Sequence, residues 1–266
     1  MNPNSILKAF FNLMWKSLPA RLHGKLLPHL VAGADPMAKL RSGIPTLEGV
    51  LRNMRQAGFQ PATVIDCGAY EGEWSLTAAQ VFPQARYLLI DGNPENAIAI
   101  GNAAAQCGRG SEAGILLLGP REEDRVVFHQ MGTGSSVYAE LTGFGRRQME
   151  LPMRTLDSYV DQRNIGTPVL LKLDVQGFEL EVLKGARKTL QSATVVVLET
   201  ALLPFNKGAP LFAEVVAFLA TAGFVVYDFC GQFRRQTDHA LFQTDVIFAR
   251  TDSGLRAQRK FWLNEP

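Results

Sequence analysis

The chain has 266 residues, enough for one large domain or a domain with an extension, and 47% of them are hydrophobic, ample for a buried core. A net charge of +2 gives no global field that would advertise nucleic acid. Cys67, Cys107 and Cys230 are odd in number and lack a C-x-x-C pair, which fits a reducing cytoplasm and offers neither a disulfide framework nor a zinc knuckle.

The first segment is basic and apolar. Residues 1–45 hold six basic residues and one acidic. Ile6, Leu7, Phe10, Phe11, Met14, Trp15 and Leu18 recur at helical spacing, and Pro19 stops the run. Lys8, Asn12 and Lys16 interrupt it, so it is not a signal peptide, and no apolar run approaches the roughly 18–20 residues of a spanning helix. Residues 5–30 can lie on an anionic membrane or pack over a pocket or a second subunit, and packing is the favoured reading. Residues 33–45 read as a loop. A helix over 46–57 follows, with Thr46 as cap and Gly58 as stop. The chain therefore divides into a helical extension over 1–58, a main domain over 59–252 and a tail over 253–266.

The domain opens on TVIDCGAYEG at 63–72. A strand ends at Asp66, a glycine turn follows, and Glu73 begins a helix over 73–81. Strand, glycine turn and helix present backbone N–H groups to a nucleotide-like ligand. A dinucleotide site reads G-x-G-x-x-G. Here Asp66 stands at the first glycine and Gly68 and Gly72 are four apart, which favours S-adenosylmethionine over NAD. The next strand, 86–90, ends at Asp91, 25 positions after Asp66. That is where a carboxylate grips a ribose diol in nucleotide-binding α/β folds, both hydroxyls donating to both oxygens. The cofactor site is thus assigned to Asp66, Gly68, Ala69, Tyr70, Gly72, Asp91 and Asn93.

Beyond it, strands are expected near 114–118, 169–174, 195–199, 224–228 and 244–249, and helices near 95–106, 178–190 and 211–222. Val126–Phe128 adds a short strand within an insertion over 120–165. Ser135 and Ser136, in a glycine loop, are candidates to bind the amino-acid end of the cofactor or the acceptor. The strands are apolar nearly throughout, as in a parallel sheet covered on both faces. Residues 230–239 are too few and too polar for a helical crossover, so the last strand is expected antiparallel. The architecture is a Rossmann-like, seven-stranded α/β sheet, mostly parallel with an antiparallel last strand.

In the fourth strand Lys172 and Asp174 are two apart and share a face at the carboxyl edge, where ligands bind in open α/β sheets. Burying one charge there is costly, and pairing the two lowers the cost. Asp174 is the first choice for a general base. His129 and His239 are the others, since histidine titrates near neutrality. Glu199 ends the fifth strand nearby. With Asp174 it offers oxygen ligands to Mg²⁺, but Lys172 competes for Asp174 and no metal is assigned.

These motifs resemble an FkbM-type methyltransferase, a family of S-adenosylmethionine-dependent O-methyltransferases. The resemblance spans roughly 60–250 and rests on VIDCGAYEG at 64–72, DGNPEN at 91–96, GTGSS at 132–136, RTLDSY at 154–159, LKLDVQGFELEVLKGA at 171–186, VVLET at 196–200 and TDVIFAR at 244–250. The family more often has Glu-Pro where this chain has Asp91-Gly92. The resemblance implies methyl transfer from S-adenosylmethionine to a hydroxyl of a sugar, a polyketide or a lipid-linked glycan. Other readings of the residues are a nicotinamide-dependent oxidoreductase, which needs the missing glycine, and a non-catalytic nucleotide-binding or scaffold protein.

Overall fold

The computed structural model describes residues 45–139 and 147–257. The expected N-terminal helix, its membrane or packing role and most of the tail lie outside the described residues. Among those described, no helix is long and apolar enough to cross a membrane.

The Thr46 side chain accepts from Gly49 N at 3.1 Å and so caps the first helix, α1 (Leu47–Gln56). Its Val50, Leu51 and Met54 form the buried stripe. Then come β1 (Thr63–Cys67), α2 (Glu73–Val81), β2 (Arg86–Asp91), α3 (Ala97–Cys107) and β3 (Glu112–Ile115). After these lie β4 (Leu117–Leu118), β5 (Glu123–Gln130), β6 (Arg147–Arg154) and α4 (Leu156–Asp161). The last part holds β7 (Val169–Leu173), α5 (Glu179–Lys184), α6 (Arg187–Ser192), β8 (Ala193–Ala201), α7 (Phe212–Thr221), β9 (Phe224–Arg234) and β10 (Leu241–Arg250).

Seven strands form the main sheet in the order β3-β2-β1-β7-β8-β10-β9. All neighbours are parallel except β10, which runs antiparallel to both β8 and β9. The doubly wound sheet with a reversed last strand is the expected one. Side chains alternate across it. Val64, Tyr87, Leu89, Leu170 and Val197 pack on one face with Met54, Ala78 and Ala103. Ile65, Leu88, Leu171 and Val196 pack on the other with Val182, Leu190 and Leu219. Each such fully buried aliphatic side chain contributes about 1.5–3 kcal/mol.

Several elements differ from the sequence reading, and β9, expected over 224–228, runs on to Arg234. The strand expected over 114–118 breaks at Leu116: β3 joins the main sheet, while β4 pairs with β6 in a second, three-stranded sheet with β5. That sheet is the insertion, where only Val126–Phe128 was expected. The helix expected over 178–190 is two helices. They part at Gly185, which packs so close to Gly119 that a Cβ would lie 2.1 Å from its carbonyl oxygen, so only glycine fits there. The helix over 95–106 starts with a 3-10 turn at Pro94–Asn96.

Candidate functional site

Parallel pairing puts Asp66 directly opposite Lys172. Lys172 Nζ lies 3.0 Å from Asp66 Oδ1 and 3.6 Å from Asp174 Oδ2, and donates to Gly68 O at 2.9 Å. Burial works against the ammonium, but the two carboxylates outweigh it and its pKa is raised. The other oxygen of Asp66, Oδ2, accepts from Ser75 Oγ at 2.7 Å. Asp66 is fully buried and does not line the cavity. It therefore braces the glycine turn from beneath, behind the cavity wall. This corrects its assignment as a cofactor contact, and it corrects the pairing of Lys172 with Asp174 alone.

The turn itself is built for close approach. Gly68 has φ +78°, and a Cβ would lie 1.8 Å from Asp174 O. Gly72 has φ +87°, with a Cβ 2.3 Å from Ala103 Cβ. Tyr70 adopts φ +51°, strained for a side chain other than glycine. That conformation delivers its N–H to Asp91 Oδ2 at 2.8 Å. Asp91 Oδ1 accepts from Asn93 N at 2.7 Å and Asn96 Nδ2 at 3.0 Å. Burial raises the Asp91 pKa, and these donors only partly oppose it. Each carboxylate oxygen has two acceptor positions. Oδ1 is full and Oδ2 has one left, so the bidentate ribose grip narrows to one hydroxyl at Oδ2 in this arrangement.

Gly68, Ala69, Tyr70, Asp91, Asn96 and Phe128 line one cavity of about 550 Å³ that continues to Ser135, Ser136, Lys172, Asp174 and Glu199. It has the size of an ordinary small-molecule site. The N–H-rich turn, a carboxylate with one open position and the apolar Leu117, Leu118 and Phe128 fit S-adenosylmethionine at this end. Asn93 is buried and outside the lining: its Oδ1 accepts from Glu95 N and Gln130 Nε2. Its part is to shape the turn after β2. Both serine hydroxyls are engaged. Ser135 Oγ donates to Gly132 O at 2.9 Å, and Ser136 Oγ donates to Gln176 O at 2.9 Å. Ser135 thus closes the glycine loop on itself, and Ser136 staples it to the turn after β7.

That turn carries the rest of the chemistry. Asp174 is one-third exposed and faces the cavity. Gln176, at φ +54°, donates from Nε2 to Asp174 Oδ1 and to Glu199 Oε2, both at 2.9 Å. Gln243 Nε2 donates to the same Glu199 oxygen at 3.0 Å. Burial, then Asp174, Glu179 and Asp245, push Glu199 up to about 9. Asp245 stands opposite Glu199 on β10 and is raised to about 6, chiefly by burial. Glu179 caps the turn, Oε1 accepting from Val175 N and Gly177 N at 3.0 Å, and burial lifts it to about 7.

Neither histidine lies at the cavity. His129 is on β5, its backbone paired with Ser136, and His239 is exposed in the turn between β9 and β10. Both drop out as bases for geometric reasons. Among the described residues, no group of three or more His, Cys, Asp or Glu side chains could hold a metal ion. The Gln176 amide occupies the gap between Asp174 and Glu199. Gln176, Gln243 and Asn96 were missed as site residues. Gln176 and Asn96 fall inside the motifs quoted above, but an amide carries no sequence mark of which carboxylates it will bridge.

Comparison with solved structures gives similarity to a precorrin-6y C5,15-methyltransferase from Geobacter metallireducens, at 15% identity and TM-score 0.44, covering 76% of this chain and 86% of that one. TrmK from M. capricolum, in complex with S-adenosyl-homocysteine, matches at 7% identity and TM-score 0.43, covering 75% and 68%. No curated protein matches the chain. The model of the Methyltransferase FkbM domain matches residues 66–226, which span the glycine turn, Asp91, the serine loop, Asp174 and Glu199. That is more than half of the chain, and it belongs to the FkbM methyltransferase domain family.

Proposed function

We propose that this S-adenosylmethionine-dependent methyltransferase is an O-methyltransferase, acting on a hydroxyl of a sugar, a polyketide or a lipid-linked glycan. One observation carries the reading: a partly exposed carboxylate, Asp174, lines the same cavity as the glycine turn and Asp91. When bound, the cofactor supplies a methyl group on a sulfonium, already electrophilic. The chain's work is then to orient and to take a proton.

The backbone of Gly68–Tyr70 and Asp91 Oδ2 position the cofactor. Leu117, Leu118 and Phe128 give an apolar wall that excludes water. Asp174 accepts the proton of the acceptor hydroxyl. Lys172, 3.6 Å from Asp174 Oδ2, stabilises the carboxylate before that transfer.

Mass spectrometry of small molecules and glycans incubated with the protein and methyl-deuterated S-adenosylmethionine tests the reading. The expected product carries a CD₃ ether on a former hydroxyl. Label found on nitrogen, carbon or sulfur, with no ether formed, overturns it.

A further inference from the structure

Three phenylalanines at the cavity belong to neither hydrophobic core. Phe205 lies in the loop after β8, Phe233 near the end of β9 and Phe242 near the start of β10. The hairpin and the loop bring them together. Phe233 stands opposite Gln243, the neighbour of Phe242, and Leu202 N donates to Phe242 O at 2.8 Å. The Phe205 and Phe242 rings are 5.1 Å apart at 71°, and those of Phe233 and Phe242 are 6.1 Å apart at 63°. Phe233 is 61% exposed, so its ring forgoes the burial that would stabilise the fold. Rings at such steep angles make a corner, not a flat platform. A corner of ring faces suits a compact, rounded group.

The corner adjoins two amides with oxygens to spare. Gln243 Nε2 donates to Glu199, and Gln176 Nε2 donates to both Asp174 and Glu199. A carboxylate oxygen accepts, so the amide nitrogens must face it and the carbonyl oxygens are left over. No donor among the described residues reaches the carbonyl oxygen of either glutamine. Charge points the same way. Among the described residues that line the cavity, Glu73, Asp91, Asp174 and Glu199 are acidic and Lys172 alone is basic. Lys172 is already engaged by Asp66, which lies outside the lining, at 3.0 Å. With Glu199 protonated, the acidic excess shrinks by one charge and keeps its sign.

We propose that Phe205, Phe233 and Phe242, with the carbonyl oxygens of Gln176 and Gln243, form a subsite for a protonated amine carried by the acceptor. The proposal rests on the methyl-transfer reading and narrows its substrate class to hydroxyl acceptors that bear an ammonium group, such as an amino sugar. The negative ring faces attract the cation, and the amide oxygens take its N–H bonds. A protonated amine has no lone pair, so it cannot take the methyl group. It holds the molecule while a hydroxyl reacts. That hydroxyl gives its proton to Asp174, its oxygen lone pair bonds to the methyl carbon, and the electron pair of the breaking carbon–sulfur bond stays on sulfur. A phosphate or carboxylate at the corner would meet a cavity of its own sign and be disfavoured.

The test is calorimetry on the full chain saturated with S-adenosylhomocysteine. The probes are 2-, 3- and 4-aminocyclohexanol, each against the methylcyclohexanol of the same geometry, where a methyl group of nearly equal size replaces the ammonium. At least one amine should bind about tenfold or more tighter than its counterpart, as expected for a cation over ring faces that also makes charge-assisted hydrogen bonds. Phe242→Leu stays apolar and loses the ring, and it should remove most of that preference. Phe233 is mostly exposed, so Phe233→Leu answers even if Phe242→Leu does not fold, and it should weaken the same preference. If no amine binds more tightly than its counterpart, the corner is merely apolar and the proposal is overturned. An amine preference that the leucine variants leave intact overturns it as well, since the carboxyls alone would then hold the cation. Titration of S-adenosylhomocysteine into the same samples separates the two readings. Its failure to bind counts against methyl transfer, while the amine titration repeated without it still reads the subsite.

Discussion

Lys172 reaches across the sheet to Asp66, its Nζ 3.0 Å from Asp66 Oδ1, with both side chains buried. The two stand opposite each other on adjacent parallel strands, β7 and β1. The ammonium also donates to the Gly68 carbonyl. One ion pair thus ties the central sheet to the glycine turn that receives the cofactor. Lys172→Met would leave Asp66 buried and uncompensated. The expected cost is about 3–5 kcal/mol of stability. Chemical denaturation of the variant and its parent measures it, and a loss under 1 kcal/mol would mean the pair is not a structural tie.

Gly68→Ala tests the closeness of the turn. The added methyl would lie 1.8 Å from the Asp174 carbonyl oxygen, and φ +78° is strained for alanine. Neither neighbour is a flexible side chain, so backbone must move. We expect loss of cofactor binding by at least about tenfold together with lower stability, from strain of a few kcal/mol. Calorimetry and thermal melts report the two effects separately.

Glu199→Gln gives a pH signature. Glu199 is pushed up from an ordinary 4.5 to about 9 by burial and by Asp174, Glu179 and Asp245. A group with a raised folded value binds more protons folded than unfolded. Its contribution to stability is fully present below about 4.5 and is lost as pH rises toward 9. Glutamine is close to the protonated form in shape and does not ionise. The variant should therefore melt above its parent at pH 8, by about 2–4 °C for each kcal/mol recovered, and the gain should vanish near pH 4. Equal melting temperatures across that range would show that Glu199 ionises freely.

The main sheet was largely legible in the sequence because its strands are short, apolar runs bounded by glycine, proline or a helical pattern. TVIDC, RYLLID and VLLKL are buried on both faces and carry no competing signal. The second sheet was not legible. EDRVVFHQ and RQMELPMR are mostly exposed or half-buried, carry charges and, in β6, are interrupted by Pro152, so alternation is weak. The glycine turn, Asp91 and Asp174 stood out as residue types at strand ends. The use of Asp66 did not, because its partner Lys172 is distant in sequence and becomes adjacent only when β7 inserts beside β1. The histidines were chosen by titration chemistry alone, and the topology places them elsewhere.

Asp174→Asn addresses the chemistry of the site. The change keeps the size and loses the charge. Turnover should fall by about 10²–10⁴-fold, the range for general acid–base catalysis, with S-adenosylhomocysteine affinity little changed. Turnover near normal per folded molecule would reduce Asp174 to a partner of Lys172 and Gln176.

The central claim is that the cavity between the glycine turn and Asp174 holds S-adenosylmethionine through the turn and Asp91. Calorimetric titration with S-adenosylhomocysteine, on the full chain and on Asp91→Ala, tests it most directly. The parent should bind at micromolar levels and the variant should lose about 1.5–3 kcal/mol, the range for a hydrogen bond to a charged group. Absence of binding by the parent, or binding that Asp91→Ala leaves unchanged, would contradict it.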